Sequence, residues 1–196
     1  MVSLSFCIFA PMNYTLTTQE ASMAAEEFVR RYRDVERFDA LCTQCPSYGN
    51  MWCCPPFGCD PRIFSDGFKT VTMIATTIEF DQAVYDACQG AREKSREVSR
   101  EAMKEVWSGL LPELLKRERE RPGSRAFTFR CSLCSEGCTR PEGKPCRHPD
   151  IMRHSLEAVG FDVSAAAHDM LGIDLEWSAD GSLTKRITIV TALMIP

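Results

Sequence analysis

Apolar residues along this chain fall into short periodic runs, and each run predicts an element. Ala21, Ala25, Phe28 and Tyr32 recur at helical spacing behind Thr17-x-x-Glu20, which has the form of a capping box. The pattern predicts an amphipathic helix from about Thr18 to Arg33. A short extended piece through Val35 and Phe38 then leads to Cys42. Thr70 to Phe80 is the best strand, rich in β-branched residues and partly apolar at both parities, as in a strand covered on one or two faces. Asp81 is placed to cap a long helix whose stripe is Val84, Ala87, Ala91, Val98, Ala102, Val106 and Leu110. Ser108, Gly109 and Pro112 should kink or divide it, and Arg121, Pro122 and Gly123 should end it. Its other face alternates Arg92, Arg96, Arg100 and Lys104 with Glu93, Glu97, Glu101 and Glu105, a balance that reads as solvated surface.

Ala126 to Arg130 reads as a short strand running straight into a cysteine loop. Pro149 and Gly160 bracket a three-turn helix through Ile151, Leu156 and Val159, and a second short helix spans Val163 to Leu171, ending near Gly172. Ile173 to Ser178, a turn at Asp180 and Gly181, and Lys185 to Leu193 form a closing β-hairpin. Together these elements predict an α+β fold: a single compact domain over residues 1–196, with an antiparallel or mixed sheet and helices packed on one face. Two cysteine-rich metal loops, at 42–59 and 131–146, are expected near one sheet edge.

Composition narrows the function. No Gly/Ser-rich or Pro-rich linker divides the 196 residues, and 44% hydrophobic with 26% charged residues suits an ordinary globular chain rather than a disordered or fibrous one. A net charge of −4 argues against a protein that coats nucleic acid. The apolar run Phe6, Cys7, Ile8 and Phe9 lacks a basic leader and is too short to span a bilayer, so neither export nor membrane insertion is expected, and the cytoplasm is the expected location. Eleven cysteines would suggest disulfides in a secreted chain, but the number is odd and nine of them fall in two clusters. Metal ligation in a reducing compartment fits that distribution better.

The denser cluster is Cys131-x-x-Cys134-x-x-x-Cys138 followed by Cys146. Four soft thiolates at this spacing suit tetrahedral zinc or an iron–sulfur cluster, and the packing of three of them into eight residues is nearer to ferredoxin ligand runs than to paired zinc hairpins. Arg130, Arg140, Lys144, Arg147, His148 and Arg153 surround it in sequence. They can neutralise an anionic centre, dock an anionic substrate or dock an acidic redox partner, while Arg140 and Lys144 by default read as solvated charges. The upstream cluster offers Cys42, Cys45 and Cys54 as equally credible thiolates, with Cys53 and Cys59 competing for a fourth place. If neither takes it, the upstream centre keeps an open coordination position of the kind that binds substrate. Cys7 and Cys88 read as small buried hydrophobes, and His148, His154 and His168 are too scattered for a histidine metal site.

Cys42-x-x-Cys45 with Pro46, Tyr48 and Gly49, then Trp52, Cys54, Pro55 and Pro56, then Cys131-x-x-Cys134, then Pro145-Cys146-Arg147-His148-Pro149 leading to Arg153, Ser155, Glu157 and Gly160, resemble the uncharacterised cysteine-rich "predicted metal-binding protein" family of anaerobic bacteria and archaea. The resemblance runs from about Cys42 to Val163. It implies a metal-binding protein, with Cys42, Cys45, Cys54, Cys131, Cys134, Cys138 and Cys146 as ligands. It leaves Cys53 and Cys59 as additions of this sequence, and places Arg153, Ser155 and Glu157 to orient the second centre from outside. Arg147, Arg153 and Glu157 are thus the expected cofactor-holding side chains.

Three functions follow. The leading one is an iron–sulfur protein with two [4Fe–4S] clusters, serving electron transfer or redox support for a partner enzyme. A second is an enzyme that binds a small, anionic substrate at the open iron of a three-cysteine cluster. The third is a zinc-stabilised interaction module.

Overall fold

The computed structural model describes residues 14–196; the apolar run at 6–9, with Cys7, lies outside the described residues. A four-stranded antiparallel sheet in the order β1-β2-β4-β3 forms its centre. β1 (Tyr14–Ala24) and β2 (Thr70–Phe80) pair along eleven residues, and β4 (Arg186–Ile195) lies on the other side of β2. β3 (Arg125–Phe127) is a three-residue edge against β4. Five α-helices pack around this sheet among the described residues: α1 (Ala25–Tyr32), α2 (Val35–Cys42), α3 (Gln82–Cys88), α4 (Arg92–Arg119) and α5 (Val163–Leu171). None of them is long and apolar enough to cross a membrane.

The sheet is α+β and antiparallel as expected, but helices cover both of its faces rather than one. The cause lies in β2, which is apolar at both parities. Val71, Met73 and Ala75 join Val190, Ala192 and Met194 under α1 and α5, together with Phe28 and Phe161. Ile74, Ile78 and Phe80 join Ile189 and Leu193 beneath α3 and α4, with Ala102, Val106 and Trp107. Each side chain on successive residues points to the opposite face, so one strand seeds two cores.

Several boundaries differ from the sequence reading. The helix expected over 18–33 is half strand: β1 runs to Ala24 and only Ala25–Tyr32 is helical. Hydroxyl pairs across the ladder, Thr18 with Thr76 at 3.0 Å and Ser22 with Thr72 at 2.9 Å, reward the extended form over the capping box. Glu20, the supposed box carboxylate, instead holds Arg117 of α4 at 2.5 Å. The piece from Val35, expected to be extended, is α2, whose first turn is capped by Asp34 accepting from the Arg37 amide at 3.1 Å. The long helix breaks at Gly90, whose φ of 72° only glycine adopts without strain, and the Ser95 hydroxyl closes the break by donating to Cys88 O at 2.8 Å. It does not divide at Pro112, because Val106, Trp107, Leu114 and Leu115 are buried on both sides of that residue. Asp81 precedes α3 without a side-chain cap bond.

β3 begins at Arg125 and ends at Phe127, short of the expected Arg130. The helix expected between Pro149 and Gly160 is only a 3-10 turn at Glu157–Val159. Residues 153–155 serve instead as an extended partner to the chain leaving β3: Thr128 N donates to His154 O at 2.9 Å, and Thr128 bridges Ser155 in parallel. The closing hairpin keeps only its second strand. Residues 173–178 are irregular, and Glu176 meets β4 only through side-chain bonds to Arg186.

Candidate metal centre

The upstream cysteines are set by the end of a helix and a tight loop. Cys42 is the last residue of α2, and Cys45 N bonds back to its carbonyl at 2.9 Å. Gly49, at a φ of 69°, turns the chain so that its amide reaches Pro55 O at 2.8 Å, closing the loop that carries Cys53 and Cys54. One side chain from the other cysteine loop pins this one. Arg140 Nη1 donates to Met51 O at 2.7 Å and to Cys54 O at 2.5 Å, Nη2 donates to Pro56 O, and the guanidinium lies 5.3 Å from the Trp52 ring centre. Trp52 Nε1 returns a bond to Lys144 O at 3.1 Å. Arg140 is therefore a clamp rather than the solvated charge that sequence reasoning makes it; its place within a cysteine loop was its only signal.

The downstream loop leaves the sheet edge at β3. Gly137, with a φ of 89°, takes its turn, and its carbonyl accepts from Arg147 Nη1 at 2.8 Å. The Thr139 hydroxyl donates to Pro145 O at 2.8 Å, and the His148 amide donates to Cys146 Sγ at 3.4 Å. Cys131, Cys134, Cys138 and Cys146 all line one cavity of about 430 Å³, and Cys53 of the upstream loop joins them. Arg130, Arg147 and His148 stand in the same wall. Among the described residues, no three His, Cys, Asp or Glu side chains converge closely enough to grip a single ion as they stand; the thiols rim a cavity instead.

Cys53 and Cys54 divide between the two sets. Cys53 lines the downstream cavity beside Cys131 while its sulfur lies 3.7 Å from Cys54 Sγ, whereas Cys54 stands within electrostatic reach of Cys45 and Cys42. Burial pushes the Cys42 thiol up to about 11, with the negative charges of Cys45, Asp39 and Glu157 adding to it. At Cys53 the neighbouring Cys131 thiol favours ionisation, but the Cys54 thiol and burial outweigh that and take it up to about 12. Cys131 is pushed up strongly by the neighbouring Cys53 thiol and by partial burial, and Cys54 is lowered, chiefly by Cys53 beside it. Cys42, Cys53 and Cys131 are thus the thiols that favour the protonated form, whereas Cys54 is shifted toward the thiolate; binding of a soft cation to such a set would release protons. Cys59 is exposed, and Cys88 is buried far from either set in the core under α3.

The three cofactor-holding candidates part company. Arg147 lies at the thiol cavity. Arg153 does not: its guanidinium is held in a partly buried pair with Glu118 of α4, at 2.5 to 2.9 Å, and it lines a separate cavity. Glu157, assigned to the downstream centre by resemblance, lies near the upstream one instead. Its 3-10 turn packs on α2, where its charge acts on Cys42, and burial raises its own carboxyl. His154, set aside in the sequence as too scattered for a metal site, takes a structural place beside the upstream loop that the sequence does not signal. Its ring sits between Phe57 and Phe64, with centres 4.8 and 4.3 Å away, its Nδ1 bonds Cys53 O at 3.1 Å, and burial lowers its pKa.

The donor set, soft thiols from two loops locked together by Arg140, fits a thiolate-bound metal group. No curated protein and no solved structure matches the chain. Residues 30–195 match the family model described as "Predicted metal-binding protein (DUF2284)", a span that takes in every one of these cysteines and all but the first strand of the sheet. The chain thus belongs to the DUF2284 family of predicted metal-binding proteins.

Proposed function

We propose that this protein carries two [4Fe–4S] centres and serves electron transfer or redox support for a partner enzyme in the cytoplasm. Cys131, Cys134, Cys138 and Cys146 would hold one centre; Cys42, Cys45 and Cys54 would hold the other. The observation that carries the reading is the cavity of about 430 Å³ rimmed by all four downstream cysteines. Four thiolates on one zinc ion lie about 3.8 Å from each other, given a Zn–S bond of about 2.3 Å, whereas a cluster with its own irons and sulfides needs room between its ligands. When bound, such a group supplies one-electron chemistry. Arg130, Arg147 and His148 at the cavity wall supply positive charge or donors that favour an anionic centre, and a docking field for an acidic redox partner.

One observation favours the enzyme reading as the alternative. Cys53 lines the downstream cavity, so an upstream set that does not recruit Cys59 has three thiols, and a centre held by three would offer an open position to a small, anionic substrate.

Anaerobic purification followed by assay of iron, acid-labile sulfide and zinc tests both. About eight irons and eight sulfides per chain are expected. Stoichiometric zinc without sulfide in protein never exposed to air would end the redox reading and leave a zinc-stabilised module. A small ligand that perturbs the spectrum of one centre only would favour the enzyme over the carrier.

A further inference from the structure

A second cavity opens along β3, beside the one that the thiols rim. Its volume is about 430 Å³, and Arg125, Arg153, Glu118 and His154 line it, with Pro149 and Met152 as apolar parts of the wall. Met152 also lines the thiol cavity, so the two adjoin. The charges in this second cavity do not balance. Glu118 is committed: its Oε1 accepts from the Ala126 amide at 2.7 Å, and Arg153 grips the carboxylate at 2.5 to 2.9 Å. His154 has given Nδ1 to Cys53 O at 3.1 Å, and burial keeps its ring neutral. Arg125 is left over. Among the described residues its partly buried guanidinium makes no ion pair and no hydrogen bond, lying instead 5.7 Å from the Phe64 ring centre. Residues 1–13 contain no Asp or Glu to pair with it. We propose that this cavity binds a small monocarboxylic acid, with Arg125 taking the carboxylate and Pro149 and Met152 taking the apolar body.

The single positive charge in excess sets the charge of the ligand. A monocarboxylate cancels it, whereas a phosphate dianion would leave a net negative charge beside the Glu118 carboxylate. A guanidinium presents a planar fork of N–H donors that matches the two oxygens of a carboxylate in a bidentate pair. Partial burial has taken water from Arg125 without giving it a partner, so an anion in the cavity restores what burial removed. The frame around the site is rigid. Arg125 stands opposite Met194 in the β3–β4 ladder, and Glu118 ties α4 both to the Ala126 amide and to Arg153. The volume falls within the roughly 300–1,000 Å³ of small-molecule sites, and a polar end with an apolar wall is their usual make-up. No thiol takes part, so the site stands whichever metal group the cysteines hold.

Full-length protein, purified without oxygen and holding its metal as isolated, is to be titrated by calorimetry with butyrate and benzoate, and with benzamide and inorganic phosphate as controls. Wild type, Arg125→Met and Arg125→Lys are compared, and melting of each without ligand establishes that it is folded. Arg125→Met keeps the stem and removes the charge beside Phe64. Saturable one-to-one binding of at least one of the two acids is expected in wild type, with no binding of benzamide and weaker binding of phosphate. Affinity for the acid should fall by about tenfold or more in Arg125→Met and recover in part in Arg125→Lys. Equal affinity in folded Arg125→Met, benzamide binding as well as benzoate, phosphate binding more tightly than either acid, or neither acid binding wild type would each overturn the site. Should Arg125→Met fail to fold, the benzamide and phosphate comparisons in wild type still decide. Iron, sulfide and zinc content do not enter these outcomes, so this site and the iron–sulfur reading fail separately.

Discussion

Removing the Arg140 guanidinium should unfasten the upstream cysteine loop from the downstream one. Arg140→Met keeps the aliphatic stem that lies beside Trp52 but deletes the donors to Met51, Cys54 and Pro56. A hydrogen bond from a charged donor contributes about 1.5–3 kcal/mol, and three that share one guanidinium are not additive, so a loss on the order of 3–5 kcal/mol is expected. That is a large part of the roughly 5–15 kcal/mol that holds a domain folded. At about 2–4 °C per kcal/mol for a chain of this size, the melting temperature should drop by about 6–20 °C. Urea denaturation of metal-free protein gives the free energy directly, and the loaded protein should in addition lose the metal of the set containing Cys54. Arg140→Lys, a single ammonium on a flexible stem, should recover no more than about half, because it lacks the planar fork that reaches several carbonyls at once. A change below about 1 kcal/mol in Arg140→Met, with metal content retained, would refute the clamp.

Three further expectations concern neighbouring features. His154 is held neutral by burial between Phe57 and Phe64, with its pKa below the ordinary 6.5, so the unfolded chain binds more protons as pH falls through that value. Stability should decline below about pH 6.5, and His154→Gln should lose that component of the decline in melts taken between pH 5 and 7.5 while melting lower throughout. Gly160→Ala would place a Cβ 2.7 Å from Val35 Cγ2 and 2.8 Å from Val35 Cα at a φ of 95°, so it should cost more than about 2 kcal/mol by denaturant titration; equal stability would show that α2 shifts freely. Arg153→Met leaves the partly buried Glu118 carboxylate without its partner and should cost about 3 kcal/mol, yet metal content should stay unchanged, in contrast to any cysteine ligand; loss of metal would return Arg153 to the site.

The parts of the fold that sequence conveys are those whose signal is local. β2, β-branched and apolar at both parities, appears with its expected bounds, and so does α5, closed by Gly172. β1 was hidden because the helical spacing that starts at Ala21 belongs from Ala25 onward to the next element, and its strand character depends on Thr72 and Thr76, fifty or more residues away. The 149–160 segment failed for a similar reason: bracketing Pro and Gly describe a helix, but the backbone is claimed by Thr128. In the site, spacing alone nominated the four downstream cysteines that prove to share a cavity. Arg140 and His154 act through carbonyls of the other loop, and a carbonyl leaves no trace in side-chain pattern. Arg153 and Glu157 sit within a few residues of each other in sequence, yet they face Glu118 and Cys42 respectively, a divergence that a motif cannot express.

The three-residue length of β3 bears on how the sheet avoids joining other copies of the chain. Beyond Phe127 the outer flank of the sheet has no further strand, and the chain passes at once to the Thr128–Ser155 bridge and the cysteine loop. An open strand flank is a template for joining other copies, and short edges or covering loops are how proteins avoid it. Here the covering segments are those that lead into and out of the downstream cysteine loop. If the proposed metal holds that loop in place, its loss would bare the flank to self-association, and metal-free protein should form larger species in light scattering that the loaded protein does not.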